Sequence, residues 1–192
     1  MIYVLDDFLP ESLLIPLQEH LNNNEFEKVT VGDKDFHVQD SSKELEDYIS
    51  LKLSRIEGKK IEPILSFFRI ATDSIDNTWR IHSDLNINGQ KPDRAIVLYL
   101  SPRESEELHG TALWEHETYG RELPPDTTDE EYDRMIIGDA EDIDKWRLNT
   151  VIGYGENRLV CYPSSYFHSK YPNVAWKQGR KVFVMFYNTH RL

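Results

Sequence analysis

A chain of 192 residues, 39% hydrophobic and 29% charged, is long enough for one domain with its own core and is not composed as a disordered chain. Its 34 acidic against 22 basic residues leave a formal charge of −12, which repels phosphate and anionic lipid and so disfavours nucleic acid and membrane as partners. The lone cysteine, Cys161, excludes an intrachain disulfide and a Cys-rich metal site, and fits a reducing cytoplasm.

The opening Met1-Ile-Tyr-Val-Leu-Asp-Asp carries no basic leader and reads as a first strand. No later stretch reaches the ~18 apolar residues of a membrane helix. After Pro10, Leu13, Leu14, Leu17 and Leu21 predict a helix over 11–21, with proline where a missing N–H costs least. Ser42 as N-cap, the repeat Leu45, Tyr48, Ile49 and Leu53, and Gly58 as stop predict a second helix over 42–56. From residue 63 the pattern turns to short β-branched and aromatic runs: 64–70, 78–82, 94–100, 111–114, 150–154, 158–162 and 181–187. These predict a mainly β fold with flanking α-helices, an antiparallel sandwich or barrel braced by its N-terminal helices. Residues 1–60 form the helical support and 61–192 the core of one domain, with an insert at about 120–149. That insert holds Asp126, Asp129, Glu130, Glu131, Asp133, Asp139, Glu141, Asp142 and Asp144 around Tyr132, Met135, Ile136, Ile137 and Trp146. It reads either as one or two short helices covering the mouth of the barrel or as a solvated acidic loop.

His82-Ser83-Asp84 is the first motif with chemistry. On a strand, residues i and i+2 share a face, so an imidazole and a carboxylate come side by side as two ligands for a divalent metal. A third ligand from a distant strand would complete the two-His-one-carboxylate set that leaves positions open for a cosubstrate and O₂. His-x-Asp alone is a common chance pairing. Of the other histidines, His20 and His190 read as surface residues, His37 as part of a polar connection, and His109 and His116 as flanking a strand. His168 follows Tyr166-Phe167, where an apolar strand ends. A buried imidazole there needs partners, which a metal or simply the backbone supplies. Arg180 heads a strand on the face of Val182, Val184 and Phe186. Either it reaches solvent at the strand end, or it turns inward to grip a carboxylate with two hydrogen bonds.

The order of these motifs resembles the iron(II)- and 2-oxoglutarate-dependent dioxygenases of the double-stranded β-helix (jelly-roll, cupin-like) fold, in particular their prolyl-hydroxylase-like branch. The resemblance covers roughly residues 60–190, with 3–10 similar to the branch's N-terminal entry. It is carried by Ile81-His82-Ser83-Asp84, by Ala95–Leu98 leading into Tyr99-Leu100-Ser101, by Gly110-Thr111-Ala112-Leu113-Trp114, and by the segments 157–168 and 180–187. Gly110-Thr111-Ala112 and Asn157-Arg158-Leu159-Val160 look most like uncharacterised phage and marine-bacterial members. The resemblance implies that His82, Asp84 and His168 ligate Fe(II), that Arg180 and Tyr99 hold the far carboxylate of 2-oxoglutarate, and that Trp114 faces the cosubstrate pocket. It further implies O₂-dependent hydroxylation of a C–H bond in a protein, prolyl residues included, or in a small molecule, with succinate and CO₂ as co-products. A carboxylate at Asp84 favours hydroxylation over halogenation. The alternative of another class is a non-catalytic metal-binding barrel or interaction domain of the same fold. Two departures stand out: the His168-to-Arg180 spacing of twelve residues requires loop 170–179 to bulge, and Phe68-Arg69-Ile70-Ala71 replaces the usual glycine-and-aromatic approach to the iron strand.

Overall fold

The computed structural model describes residues 1–31, 34–102, 107–124 and 126–191, the side chains of 129 and 136 excepted. Two antiparallel sheets face each other. In chain order the large sheet collects β1 (Tyr3–Leu5), β2 (Glu27–Val31), β3 (Lys34–Asp40), β4 (Lys59–Ala71), β5 (Arg94–Tyr99), β8 (Leu159–Pro163) and β10 (Arg180–Arg191). The small sheet holds β6 (Gly110–His116), β7 (Trp146–Gly153) and β9 (His168–Tyr171). Strand orders are β1-β8-β5-β10-β4-β3-β2 and β7-β6-β9.

The large sheet is apolar on both faces, and each face has its own partner. Outward, Phe183, Met185 and Tyr187 of β10 join Ile96, Leu98 and Cys161 against Leu21 of helix α1 (Glu11–Asn23) and Ile49 and Leu53 of helix α2 (Lys43–Glu57). Inward, Val182 and Phe186 pack with Tyr99, Leu113, Tyr154, Tyr162 and Trp176 between the sheets. Fully burying one such aliphatic or aromatic side chain contributes about 1.5–3 kcal/mol.

The helices start and stop where their residues dictate. The Ser42 side chain accepts from Leu45 N, and Gly58 ends α2 in the left-handed conformation at φ 64. In α1 the inward line is Leu14, Leu17 and Leu21, whereas Leu13 is 39% exposed, because one step along a helix turns ~100° off that line.

Two expectations change, and of the two readings of the insert one holds. The opening segment is a strand, as expected, but the first sixty residues also hold β2 and β3, which join the large sheet, and His37 lies in β3. Residues 78–82 form no continuous strand. Arg80 sits at φ 46, which interrupts extended backbone, and only His82 makes a bridge. The acidic insert folds into helix α3 (Asp129–Gly138), opened by a Thr128/Glu131 capping box, followed by the 3-10 turn Ile143–Lys145. Met135 at 2% exposure packs with Ile81, Trp114, Trp146 and Phe167, so the insert is docked and not a solvated loop. Among the described residues no helix is long and apolar enough to cross a membrane.

Candidate metal centre

His82 and His168 exchange backbone hydrogen bonds, His82 N to His168 O at 3.1 Å and His168 N to His82 O at 2.8 Å. Residues so paired stand directly opposite with side chains on one face. Their rings lie 4.4 Å apart between centroids. Two residues on from His82, Asp84 returns to that face, its N–H donating to Ser164 O at 2.8 Å. Each imidazole is oriented through its inner nitrogen: His82 Nδ1 bonds the Arg80 carbonyl at 2.7 Å and His168 Nδ1 the Tyr166 carbonyl at 2.9 Å. Both Nε2 atoms are thereby turned to the Asp84 carboxylate, 3.6 and 3.3 Å from its oxygens.

The donor set fits a divalent metal. Nδ1–H bound to a backbone carbonyl leaves the Nε2 lone pair free, the usual arrangement of a metal-ligating histidine. The candidate ligand atoms all lie within 4.8 Å of one another, and ligands ~2.1 Å from a shared ion stand about 3 Å apart. No other such trio occurs among the described residues. Burial, then the neighbouring His168, holds His82 well below the ordinary imidazole range, tempered by the 38% exposure of its side chain. Burial raises Asp84, opposed by His168 and Arg69. A buried carboxylate facing two imidazole Nε2 atoms is a place where a metal ion would supply balancing positive charge.

Arg180 points inward. It opens β10 with Val182 opposite Tyr99, and its Nη1 donates to Gly110 O at 2.8 Å. Its Nε is buried without a partner among the described residues, and its guanidinium carbon lies 5.8 Å from the Tyr99 ring centre. Tyr99, fully buried, exchanges a 2.7 Å hydrogen bond with Thr111 Oγ1 and stacks on Tyr154 at 4.4 Å. Burial raises its phenol pKa, keeping a proton available there. Gly110 is required by close approach: a Cβ there would stand 1.9 Å from Ile152 O.

Trp114 is placed differently from expectation. Thr111 and Leu113 face inward, so Trp114 on the same strand turns to the other side, where its Nε1 donates to Ser169 Oγ at 2.9 Å within the Ile81–Phe167 cluster. Lys170 and Tyr171 continue β9, so the expected loop shortens to 172–179; it carries Trp176 back between the sheets, 4.6 Å from Tyr154, with its Nε1 buried and unpartnered among the described residues.

Two further polar residues beside the site, Asp76 and Lys170, escape a reading of the sequence. Asp76, 5% exposed, pairs with Arg69 at 2.7 Å and Lys170 at 2.9 Å. Burial pulls Arg69 down to about 10, with Asp76 opposing and Arg80 and Arg180 adding to the fall; burial also lowers Lys170. The available signal was parity: Lys170 shares the face of His168 on β9, and Arg69 opposes Val182 on the inward face. His116 is a core histidine, its Nε2 3.2 Å from Asp139 and its Nδ1 accepting from Thr118 N. His109 packs on Trp176, while His20 and His190 partner Asn24 and Glu62 at the surface.

Two facing antiparallel sheets with this trio between β9 and the His82 segment describe a jelly-roll barrel with a candidate metal site. No family model matches the sequence, and no curated protein does. Solved structures match almost its whole length. The non-heme alpha ketoglutarate dependent carbocyclase SnoK from nogalamycin biosynthesis superposes with a TM-score of 0.64 at 14% identity, over 98% of this chain and 79% of its own. A prolyl-4-hydroxylase from Pseudomonas putida gives 0.58 at 12%, over 97% and 91%. HygX from Streptomyces hygroscopicus, with nickel and 2-oxoglutarate bound, gives 0.61 at 11%, over 97% and 82%. The chain therefore has the fold of the 2-oxoglutarate- and iron(II)-dependent oxygenases.

Proposed function

We propose that residues 1–192 form one oxygenase domain that uses Fe(II) and 2-oxoglutarate to hydroxylate a C–H bond of a small molecule or protein residue. The observation that carries this reading is the convergence of both histidine Nε2 atoms on Asp84. His82, Asp84 and His168 would hold the iron, and Arg180 with Tyr99 the far carboxylate of the dicarboxylate. When bound, the iron and cosubstrate supply O₂ activation, one oxygen atom entering the substrate and the other succinate, with loss of CO₂. The chain's own share is orientation and shelter. Backbone carbonyls fix both imidazoles, the Arg180 Nε, unpartnered among the described residues, offers a donor, and the Tyr99–Tyr154–Trp176 aromatic cluster shelters it from water. Helices α1 and α2 brace the opposite face of the wall that bears Arg180 and Tyr99.

A metal-binding barrel without oxygenase chemistry would have no use for a buried guanidinium left one partner short, which favours the enzymatic reading. Calorimetry tests it. Mn(II) should bind the wild type, and 2-oxoglutarate should bind the Mn(II) form. Arg180→Gln should weaken 2-oxoglutarate at least tenfold and leave the metal affinity within twofold. Metal binding with no 2-oxoglutarate binding by the wild type would transfer the chain to the barrel reading. Under air, Fe(II) and 2-oxoglutarate should then release succinate, with a one-oxygen mass gain in a member of peptide and amino-acid pools.

A further inference from the structure

In a chain of net charge −12, positive charge gathers around the trio. Arg69, Arg80, Lys170 and Arg180 stand close enough to act on one another: Arg80 and Arg180 both bear on Arg69, and Arg69 and Arg180 on Lys170. The neighbouring carboxylates are fewer. Asp76 serves Arg69 and Lys170 together. Asp84 faces the imidazoles. Glu141 accepts from Thr78 Oγ1 at 2.8 Å and from the Arg80 backbone N–H at 3.3 Å. Against these four cations and three carboxylates, a divalent ion and a dianionic cosubstrate cancel, and one positive charge is left over.

Geometry puts that charge on Arg80. Among the described residues its guanidinium meets no carboxylate; its carbon lies 4.5 Å from the centre of the Phe36 ring, which Arg69 also approaches at 4.9 Å. Phe36 shares the inward face of β3 with Val38, and Val38 opposes Arg69 across the sheet. The Arg80 backbone is fixed in place. It is in the left-handed region at φ 46, its N–H is held by Glu141 and its carbonyl by His82 Nδ1. Two guanidinia against one ring repel each other, a cost that an anion shared between them removes.

We infer that the primary substrate carries a carboxylate, gripped by Arg80 over the Phe36 ring at the rim of the metal site. This inference rests on the oxygenase reading and narrows its substrate to carboxylic acids. A monoanion matches the single residual charge better than a phosphate dianion.

The test uses phenylacetate, a carboxylate beside a ring, on protein loaded with Mn(II) and N-oxalylglycine, an inert cosubstrate analogue. Bound near Mn(II), the probe's proton resonances broaden; metal occupancy is read from water relaxivity in the same samples. Broadening by the wild type is expected, with apparent affinity at least tenfold weaker for Arg80→Gln, substantially restored in Arg80→Lys, and no broadening of phenylacetamide. Equal broadening by Arg80→Gln or of the amide overturns the inference, as does tighter binding of phenyl phosphate, loss of Mn(II) from Arg80→Gln, or no effect on phenylacetate. If the wild type binds neither Mn(II) nor N-oxalylglycine, the oxygenase reading fails and takes this inference with it. If both bind and phenylacetate does not, only this inference fails.

Discussion

Asp84 concentrates the energetics of the site in one side chain. It is 8% exposed, receives no side-chain hydrogen bond among the described residues, and faces two imidazoles, one of them held neutral by its surroundings. A buried, poorly paired carboxylate costs stability until a cation arrives. Asp84→Asn should therefore raise the metal-free stability by about 1–3 kcal/mol while cutting Mn(II) affinity at least a hundredfold. Urea unfolding with and without metal measures both, and a destabilised metal-free variant would show that the carboxylate is structural. At this scale much of the site was legible. His82 and Asp84 are two apart, and His168 and Arg180 flank strands whose apolar parity is plain in sequence. Asp76 with Lys170 was not legible, because an ion pair between distant segments leaves no local pattern. Trp114 misled because strand alternation fixes that neighbours diverge but not which of them faces inward; Thr111 and Leu113 took that side.

Elements explain why the trio holds its shape although its first half is not in a strand. Ile81 N–H donates to Ala140 O at 3.0 Å, and the Tyr132 hydroxyl of α3 donates to the Ser83 carbonyl between the two ligands. Burial raises the Tyr132 phenol above its ordinary value, so it stays a donor across the working pH range. The acidic insert thus clamps the His82–Asp84 segment from the outside. Tyr132→Phe should lower stability by about 1–2 kcal/mol, the cost of leaving a carbonyl without its partner, and weaken Mn(II) severalfold. Calorimetry and urea melts on the same variant separate the two, and unchanged metal affinity would confine the contact to folding. From sequence the insert read equally as short helices or as a solvated loop, and nothing in it marked the contact with Ser83. The β2–β3 hairpin went unread for another reason. β2 is exposed along its whole length, and its Val29-Thr30-Val31 alternation is too short to mark a strand on its own.

For the molecule as a whole, the candidate ligands belong to two segments that meet only when the barrel closes. His82 lies ahead of β5, and His168 opens β9, after β8 has crossed the large sheet. An unfolded chain has no such trio, so a metal that binds here binds the folded state alone and must stabilise it. At a free concentration one hundred times its dissociation constant, Mn(II) should add about 2.7 kcal/mol. In a domain of this length that moves the melting temperature up by roughly 5–10 °C. EDTA should reverse the shift, and Arg180→Gln should keep it, since Arg180 contacts Gly110 and Tyr99 and none of the three ligands. Added 2-oxoglutarate should raise the midpoint again in the wild type and much less in Arg180→Gln. A thermal melt followed by circular dichroism reads all of these. A metal-independent midpoint would detach His82, Asp84 and His168 from any ion, whereas a metal shift with no second increment would leave the trio in place and remove the dicarboxylate from the Arg180 pocket.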